Sequence, residues 1–286
     1  MRPDLVLTYR HCAFTAKPSY VGVEIAQGVA ISARQQLGLE DGGRLAVDLD
    51  MLTSIKRVRV NDVAYNFEWH VGGPLTGDSG QPVLGVCEHD RAVADAALIC
   101  INPDPVDGRE EILLSTAAHE KGHGVFEAPK WVLASQRASM PSFLDLVTAA
   151  PTRVHRTVTP DENHLSVTPP RGTEKFFEEV RANAFMGALL APAHRVYARL
   201  LFHCASLGLS LEDVQRSGAQ TALGIADASC VGNQIHAGNL AFANIRVRIA
   251  IDQLLTRLAS DFHVTRRFIE VRLHHYGFLT QNRAVA

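Results

Sequence analysis

Residues 115–126, STAAHEKGHGVF, combine two histidines and a glutamate in a largely apolar stretch. His119 and His123 are four residues apart, so both side chains project from one face of a helix. This spacing lets two imidazoles bind one metal ion, and Glu120, one position further round the helix, can reach a water molecule on that ion. The pattern therefore predicts a metal-binding helix.

The surrounding sequence favours a buried site over two surface histidines beside a glutamate. The bare pattern is expected about 0.03 times by chance in a chain of this composition, so it is only suggestive by itself. From Ile112 to Phe126, however, the only formally charged residues are Glu120 and Lys121. A helix that is apolar on nearly every side is buried, and buried histidines need partners. One metal ion would be a partner for both histidines.

A third protein ligand is expected downstream, because a catalytic zinc ion usually has three protein ligands and one open position for water. Residues 174–192, EKFFEEVRANAFMGALLAP, are predicted to form a helix that Pro192 stops. Within it, Glu179 shares a helical stripe with Ala182 and Asn183 and so lies on a partly apolar face.

Other carboxylates remain as alternatives to Glu179. Glu174 lies near the predicted helix start, where the helix dipole alone favours an acid. Glu178 is either a ligand or a solvated surface residue. A further alternative is an acid at 161–162. Asn183, one turn after Glu179, either hydrogen-bonds a ligand or caps a neighbouring backbone group, and the two interpretations are equally favoured.

Length and composition exclude several classes of protein. The 286 residues, 47% hydrophobic and 20% charged, predict one or two globular domains and exclude a wholly disordered chain. The net charge of −2 gives no indication of a nucleic acid or an anionic membrane as a partner. The N-terminus lacks the apolar segment of a signal peptide, and no stretch approaches the roughly 18 apolar residues of a spanning helix. The five cysteines contain no C-x-x-C pair, which favours a reducing compartment, so we expect a cytoplasmic protein.

Predicted strands cluster before residue 102 and predicted helices follow it, which favours an α+β fold. Helices are predicted over 21–38 and 48–55, and strands over 56–60, 63–71, 83–87 and 96–101. Asp107 and Glu110 fit a capping box that would begin the helix ending near Phe126. Residues 127–173 contain six prolines and are predicted to be irregular, with a short helix at 143–147. The remainder is predicted to be mostly helical, with Ser210 and Thr265 as helix caps.

Three motifs together resemble the ImmA/IrrE family of zinc metallopeptidases. They are the HEKGH helix after a strand ending Ile-Cys-Ile-Asn (99–102), the pattern E-x-x-A-N-x-F followed by L-L-x-P at Glu179–Pro192, and residues 258–279, LASDFHVTRRFIEVRLHHYGFL. The resemblance implies that His119, His123 and Glu179 are zinc ligands and that Glu120 is the catalytic base. Peptide deformylase also has an HExxH helix, but it needs a cysteine ligand in a Gly-Cys-Leu-type motif, and no cysteine here lies in one.

The resemblance also implies an architecture. It predicts a zincin-like domain over 1–205 with a small antiparallel sheet and a helical region over 206–286 with a helix-turn-helix-like end. This sequence departs from the family at 127–173, which is unusually long, and at Arg181 and Ala191, where the family has other residues. We expect 127–173 to line the substrate cleft, because long irregular loops are commonly binding elements.

Two functions are compatible with these residues. The first is a zinc endopeptidase that cleaves a transcriptional repressor or a similar regulatory protein, as the resemblance implies. The second is a non-enzymatic regulator that binds a protein partner or DNA through its C-terminal helices. For DNA, phosphate contacts would come from Arg266, Arg267 or Arg272, although the low net charge disfavours this. His155, His164 and Tyr276 are weaker candidates to stabilise an oxyanion, since most single polar residues on loops are solvated.

Overall fold

The computed structural model describes residues 4–41, 43–77, 80–138, 152–157, 171–215 and 237–279. It has an α+β fold, as predicted. The chain divides into two compact units, Met1–Pro192 and Ala193–Ala286. This division comes earlier in the chain than the expected boundary at 205, because Pro192 ends one helix and the next begins at Ala193.

The first unit contains a six-stranded sheet in the order β1-β2-β3-β5-β4-β6. Its strands are β1 Leu5–Leu7, β2 Arg57–Val60, β3 Val63–Val71, β4 Val83–His89, β5 Ala96–Ile101 and β6 Thr152–Thr157. β1 pairs with β2 in parallel, as β3 does with β5, and the other pairs are antiparallel. The expectation of an antiparallel sheet was therefore wrong: the chain between β3 and β5 forms β4, which lies on the far side of β5, so β3 and β5 run in the same direction.

The helices of the first unit are α1 Val23–Gln36, α2 Leu49–Thr53, α3 Glu110–Phe126, α4 Ala128–Arg137 and α5 Glu174–Leu190. The predictions of α1, α2 and α5 are confirmed. The predicted capping box of α3 was wrong, because Asp107 has φ 51° and Arg109 occupies the N-cap position without a side-chain cap. A turn of 3-10 helix at Asp104–Val106 precedes α3.

Residues 127–173 are more regular than predicted. α4 begins directly after α3, and Pro129 lies in its first turn, where a proline costs no hydrogen bond. Trp131 and Val132 are buried, so one face of α4 contributes to the core. β6 pairs with β4. No local sequence pattern predicts this long-range contact. The predicted helix at 143–147 lies outside the described residues.

α3 is buried over nearly its whole length, as predicted, and side chains hydrogen-bond to backbone carbonyls at its C-terminal end. The Tyr65 hydroxyl donates a hydrogen bond to the Gly124 carbonyl at 2.5 Å, and the Tyr9 hydroxyl donates to the Val125 carbonyl at 3.0 Å. The last carbonyls of a helix lack partners within the helix, and burial separates these from water. Two tyrosines therefore fix the C-terminal end of α3 in the core.

Lys121 is the cation in this helix, and it is 1% exposed. Its Nζ donates to the Leu52 carbonyl at 3.2 Å and lies 5.1 Å and 5.5 Å from the ring centroids of Phe67 and Trp69. The aromatic faces stabilise a cation, but burial opposes the charge and lowers the pKa of Lys121 to about 7.

We expect the free energy of unfolding of the metal-free protein to rise, relative to that of Lys121→Met, as the pH increases from about 7 to about 10. In this window the unfolded chain retains a proton on Lys121 that the folded state has released, so the free energy of unfolding rises with pH. The slope is at most about 1.4 kcal/mol per pH unit. Urea denaturation of both proteins across the window measures it. A difference that does not change with pH would contradict the assignment.

The second unit contains α6 Ala193–Leu207, α7 Ala237–Phe262 and α8 Arg266–His275. Arg199 binds Asp261 through two hydrogen bonds of 2.7 and 3.1 Å, which join α6 to α7. Both predicted caps are confirmed: Ser210 accepts from the Asp213 amide, and Thr265 accepts from the Phe268 amide. In the described part of the chain, no helix is long and apolar enough to cross a membrane.

Candidate metal centre

Three predicted side chains meet between α3 and α5. Nε2 of His119 lies 3.2 Å from Nε2 of His123. The two carboxylate oxygens of Glu179 each lie 3.4 Å from one of these nitrogens. The four-residue spacing on α3 places both histidines on the face toward α5, and α5 brings Glu179 to them, so the structure unites residues that are far apart in sequence.

These separations are of the size that donor atoms sharing one metal ion require, although each histidine lies near a different oxygen of Glu179. A zinc ion with bonds of about 2.0–2.1 Å to nitrogen and oxygen holds neighbouring donor atoms about 3.3–3.4 Å apart. The observed separations of 3.2 and 3.4 Å are close to that value. Two imidazoles and a carboxylate also suit several other divalent ions. The buried group could therefore hold a metal ion, and its geometry leaves the element open.

The two histidines keep the Glu179 carboxylate ionised in spite of its burial. Burial by itself raises the pKa of Glu179, but the hydrogen bonds and charges of the two histidines outweigh it and hold that pKa well below its usual range. Burial lowers the pKa of His123, while its hydrogen bond and charge interaction with Glu179 raise it to about 9. Glu179 is therefore ionised, which is the form that coordinates a metal.

Glu120 lies on the side of α3 that faces β4. A Cβ atom added at Gly85 would lie 2.8 Å from the Glu120 Cγ and 3.0 Å from its Oε1. Glu120 is fully buried, and it is not one of the three residues whose ligand atoms lie within 4.8 Å of one another. The carboxylate thus occupies space that the missing side chain of Gly85 leaves, beside the ligands but outside their group.

A second glycine allows α3 and α5 to approach closely. A Cβ atom at Gly122 would lie 2.9 Å from the Ala182 Cα and 3.2 Å from the Ala182 carbonyl oxygen. These are backbone atoms, so a side chain at Gly122 would push the helices apart. Gly122 lies between the two histidines, and Ala182 is three residues after Glu179, so this close contact sets the distance between the ligands.

We expect Gly122→Ala to weaken metal binding by at least tenfold and to lower the free energy of unfolding by about 1–3 kcal/mol, as overpacking does. Gly28→Ala is the matched control, because Gly28 lies in α1 with nothing within 4 Å of the added methyl group. That control should gain about 0.5–1 kcal/mol from helix propensity and keep its metal affinity. Chelator competition and urea denaturation measure both quantities. Wild-type affinity in Gly122→Ala would show that this contact does not set the site.

The alternative carboxylates lie away from the ligands. Glu178 lies 3.4 Å from Lys130, and Glu174 pairs with Lys130 at 3.3 Å and Lys17 at 2.9 Å. Both point toward surface lysines, whereas Glu179 faces the histidines. Asn183 is half-buried one turn further along α5. The acids at 161–162 and His164 lie outside the described residues.

The remaining candidates belong to β6 and to the second unit. His155 belongs to β6, and its side chain lies outside the described part of the structure. Tyr276 follows α8 in the second unit. Arg272 is 2% exposed and lies over the Phe268 ring. Arg266 and Arg267 are paired with carboxylates of their own unit.

The residues that shape the centre differ in how much signal they carry in the sequence. Gly85 carries no signal, because its role depends on β4 lying against α3. Gly122 does carry a signal, because a glycine within a buried helix costs helix propensity and lets another element pack closely. Glu127, directly after the helix, accepts hydrogen bonds from Arg181, and no local pattern predicts this pair.

Comparison with known proteins does not extend this description. No protein-family model, no curated protein and no solved structure matches the chain.

Proposed function

We propose that the protein is a zinc-dependent peptidase in which His119, His123 and Glu179 hold the ion and Glu120 acts as the general base. The observation that carries the proposal is the convergence of three buried ligand groups beside a fourth buried carboxylate. A site that only stabilised the fold would not require that fourth group. The resemblance to ImmA/IrrE peptidases supports the same assignment.

The ion would supply Lewis-acid chemistry, since bound zinc polarises a carbonyl and makes water acidic enough to attack at neutral pH. The protein supplies the movement of the proton. Glu120 would accept the proton from the attacking water on its carboxylate and transfer it to the leaving amine. The space beside Gly85 leaves room for the Glu120 side chain between α3 and β4.

The proposed substrate is a regulatory protein such as a transcriptional repressor. Support for this choice comes from the motifs in α3 and α5 that resemble the family. The first unit has β6 at the edge of its sheet, next to β4, which contains Gly85. We further propose that the segment 127–173, to which β6 belongs, lines the cleft that receives the substrate, because it connects the two helices that carry the ligands.

One observation favours a second candidate, a regulator that uses the metal only to hold its fold. His119, Glu120 and His123 are 0% exposed, and Glu179 is 4% exposed. A structural zinc site is closed, whereas a catalytic site keeps one position open. In this second function the protein would bind a partner without cleaving it, so only a hydrolysis experiment distinguishes the two.

Gly85→Ala tests the proposed peptidase activity, because it alters the position of the proposed base, Glu120. The added methyl group would displace the Glu120 side chain, and the three atoms nearest to it belong to Thr116 and Glu120 rather than to a ligand. We expect the variant to bind zinc with wild-type affinity and to hydrolyse a peptide library at least tenfold more slowly than the wild type. Hydrolysis by the wild type should stop on chelation and return when zinc is added.

The control for this experiment is Thr116→Ser. The same methyl group would lie 2.7 Å from the Thr116 Cγ2, so combining Gly85→Ala with Thr116→Ser relieves that contact and leaves the contact with Glu120. Thr116→Ser keeps the hydroxyl that donates to the Ile112 carbonyl and should be fully active. Full hydrolysis by the double variant would contradict the role of Gly85, and no metal-dependent hydrolysis by the wild type would favour the regulator.

A further inference from the structure

A buried ion pair joins the two helices that carry the ligands. Nη2 and Nε of Arg181 lie 2.9 Å and 3.3 Å from Oε1 of Glu127. The side chain of Glu127 is 1% exposed and that of Arg181 is 11% exposed. Glu127 follows the last residue of α3, and Arg181 lies on α5 two residues after Glu179.

The pair lies one helical turn from a ligand. The Glu127 amide donates to the His123 carbonyl at 2.7 Å, so Glu127 closes the last turn of the helix that presents His123. The Tyr9 and Tyr65 hydroxyls hold the carbonyls of that same turn. The end of α3 is therefore fixed to the sheet side of the core, and Arg181 links α5 to this fixed point.

Because the ion pair between Glu127 and Arg181 is buried, its stability depends on the geometry of its hydrogen bonds. A buried carboxylate and guanidinium each lose hydration and regain stability only if their hydrogen bonds are well formed. Burial raises the pKa of Glu127, and the positive charge of Arg181 opposes that increase. Moving α5 along or around its axis would break these hydrogen bonds, so the pair resists the motion that would move Glu179 away from the histidines.

We propose that Glu127 and Arg181 are positioning residues, which fix the crossing of α3 and α5 so that the Glu179 carboxylate reaches both His119 and His123. The proposal rests on the metal centre proposed above. It goes beyond that centre because it assigns the metal affinity partly to two residues that do not touch the ion. Groups that orient metal ligands typically change affinity by about 10- to 100-fold when they are removed.

A double variant separates positioning from simple stabilisation. Arg181→Met alone leaves Glu127 buried without its cation and will lower stability. Glu127→Leu combined with Arg181→Met removes both charges, and apolar replacement of a buried pair usually preserves folding. We expect this double variant to unfold at a midpoint close to that of the wild type, to bind zinc at least tenfold more weakly, and to show an altered visible spectrum when cobalt replaces zinc.

Two further variants complete the test. Lys130→Met removes the more exposed pair between α4 and α5 and should keep wild-type zinc affinity and cobalt spectrum. Arg181→Lys retains the cation and should recover part of the affinity that Arg181→Met loses.

The possible outcomes separate this proposal from the proposed function. Wild-type zinc affinity and cobalt spectrum in the double variant would overturn the positioning role and leave the metal centre intact. If the wild type itself bound no zinc, the metal centre would be overturned, and the positioning role with it.

Discussion

Glu120→Gln is expected to fold, to retain its metal and to lose peptide hydrolysis by about 10²- to 10⁴-fold, the loss typical of a missing acid–base group. Glutamine has nearly the size and shape of glutamate but cannot take a proton. The three ligands are unchanged, so metal content should stay at the wild-type level. Initial rates on a peptide library and on a candidate repressor, measured alongside metal analysis, test this expectation.

The same variant distinguishes the two candidate functions. A peptidase whose base is Glu120 should still bind its target after the substitution, because Glu120 does not belong to the ligand group. For a regulator without catalytic activity, Glu120→Gln would change neither binding nor regulation. Full hydrolytic activity in Glu120→Gln would eliminate the proposed mechanism while leaving the metal site in place.

His119→Ala is expected to lower metal affinity by several orders of magnitude and to abolish the rise in melting temperature on adding zinc. An ion that binds only the folded state stabilises it by mass action, and removing one of three ligands removes most of that binding. The apo variant should also be less stable than the wild type, because a cavity replaces a fully buried side chain. Calorimetry with and without zinc measures both effects.

His70→Ala is the control for this experiment, since His70 is an exposed histidine on β3. It should retain the full zinc-dependent shift in melting temperature. Glu179→Ala should behave as His119→Ala does. A zinc-dependent shift that survives both ligand substitutions would place the ion elsewhere.

Much of the fold could be predicted because its periodic elements are long. α3 is apolar on nearly every side over 17 residues, α5 has a partly apolar stripe, and β3 contains aromatic and β-branched residues at alternate positions. β1 is three residues long and β6 depends on pairing with β4, so neither has a local signal. The prolines of 127–173 suggested an irregular chain, but Pro129 lies where a helix tolerates it.

The candidate site shows the same division. His119 and His123 were predictable because one helix fixes their relation, and Glu179 followed from a partly apolar stripe and a family resemblance. The contacts of Gly85 with Glu120 and of Gly122 with Ala182 depend on how separate elements pack. The burial of Arg272, which is 2% exposed, likewise depends on how α8 packs.

X-ray absorption of the zinc-loaded protein tests the central claim most directly, because it reports the atoms bound to the ion. Two imidazole nitrogens at about 2.0–2.1 Å and carboxylate oxygen at about 2.0–2.2 Å, without sulfur, are predicted. The imidazole scattering should fall in His119→Ala and stay unchanged in His70→Ala. A sulfur shell at about 2.3 Å, or imidazole scattering that is the same in His119→Ala as in the wild type, would contradict the assignment of His119, His123 and Glu179 as the metal ligands.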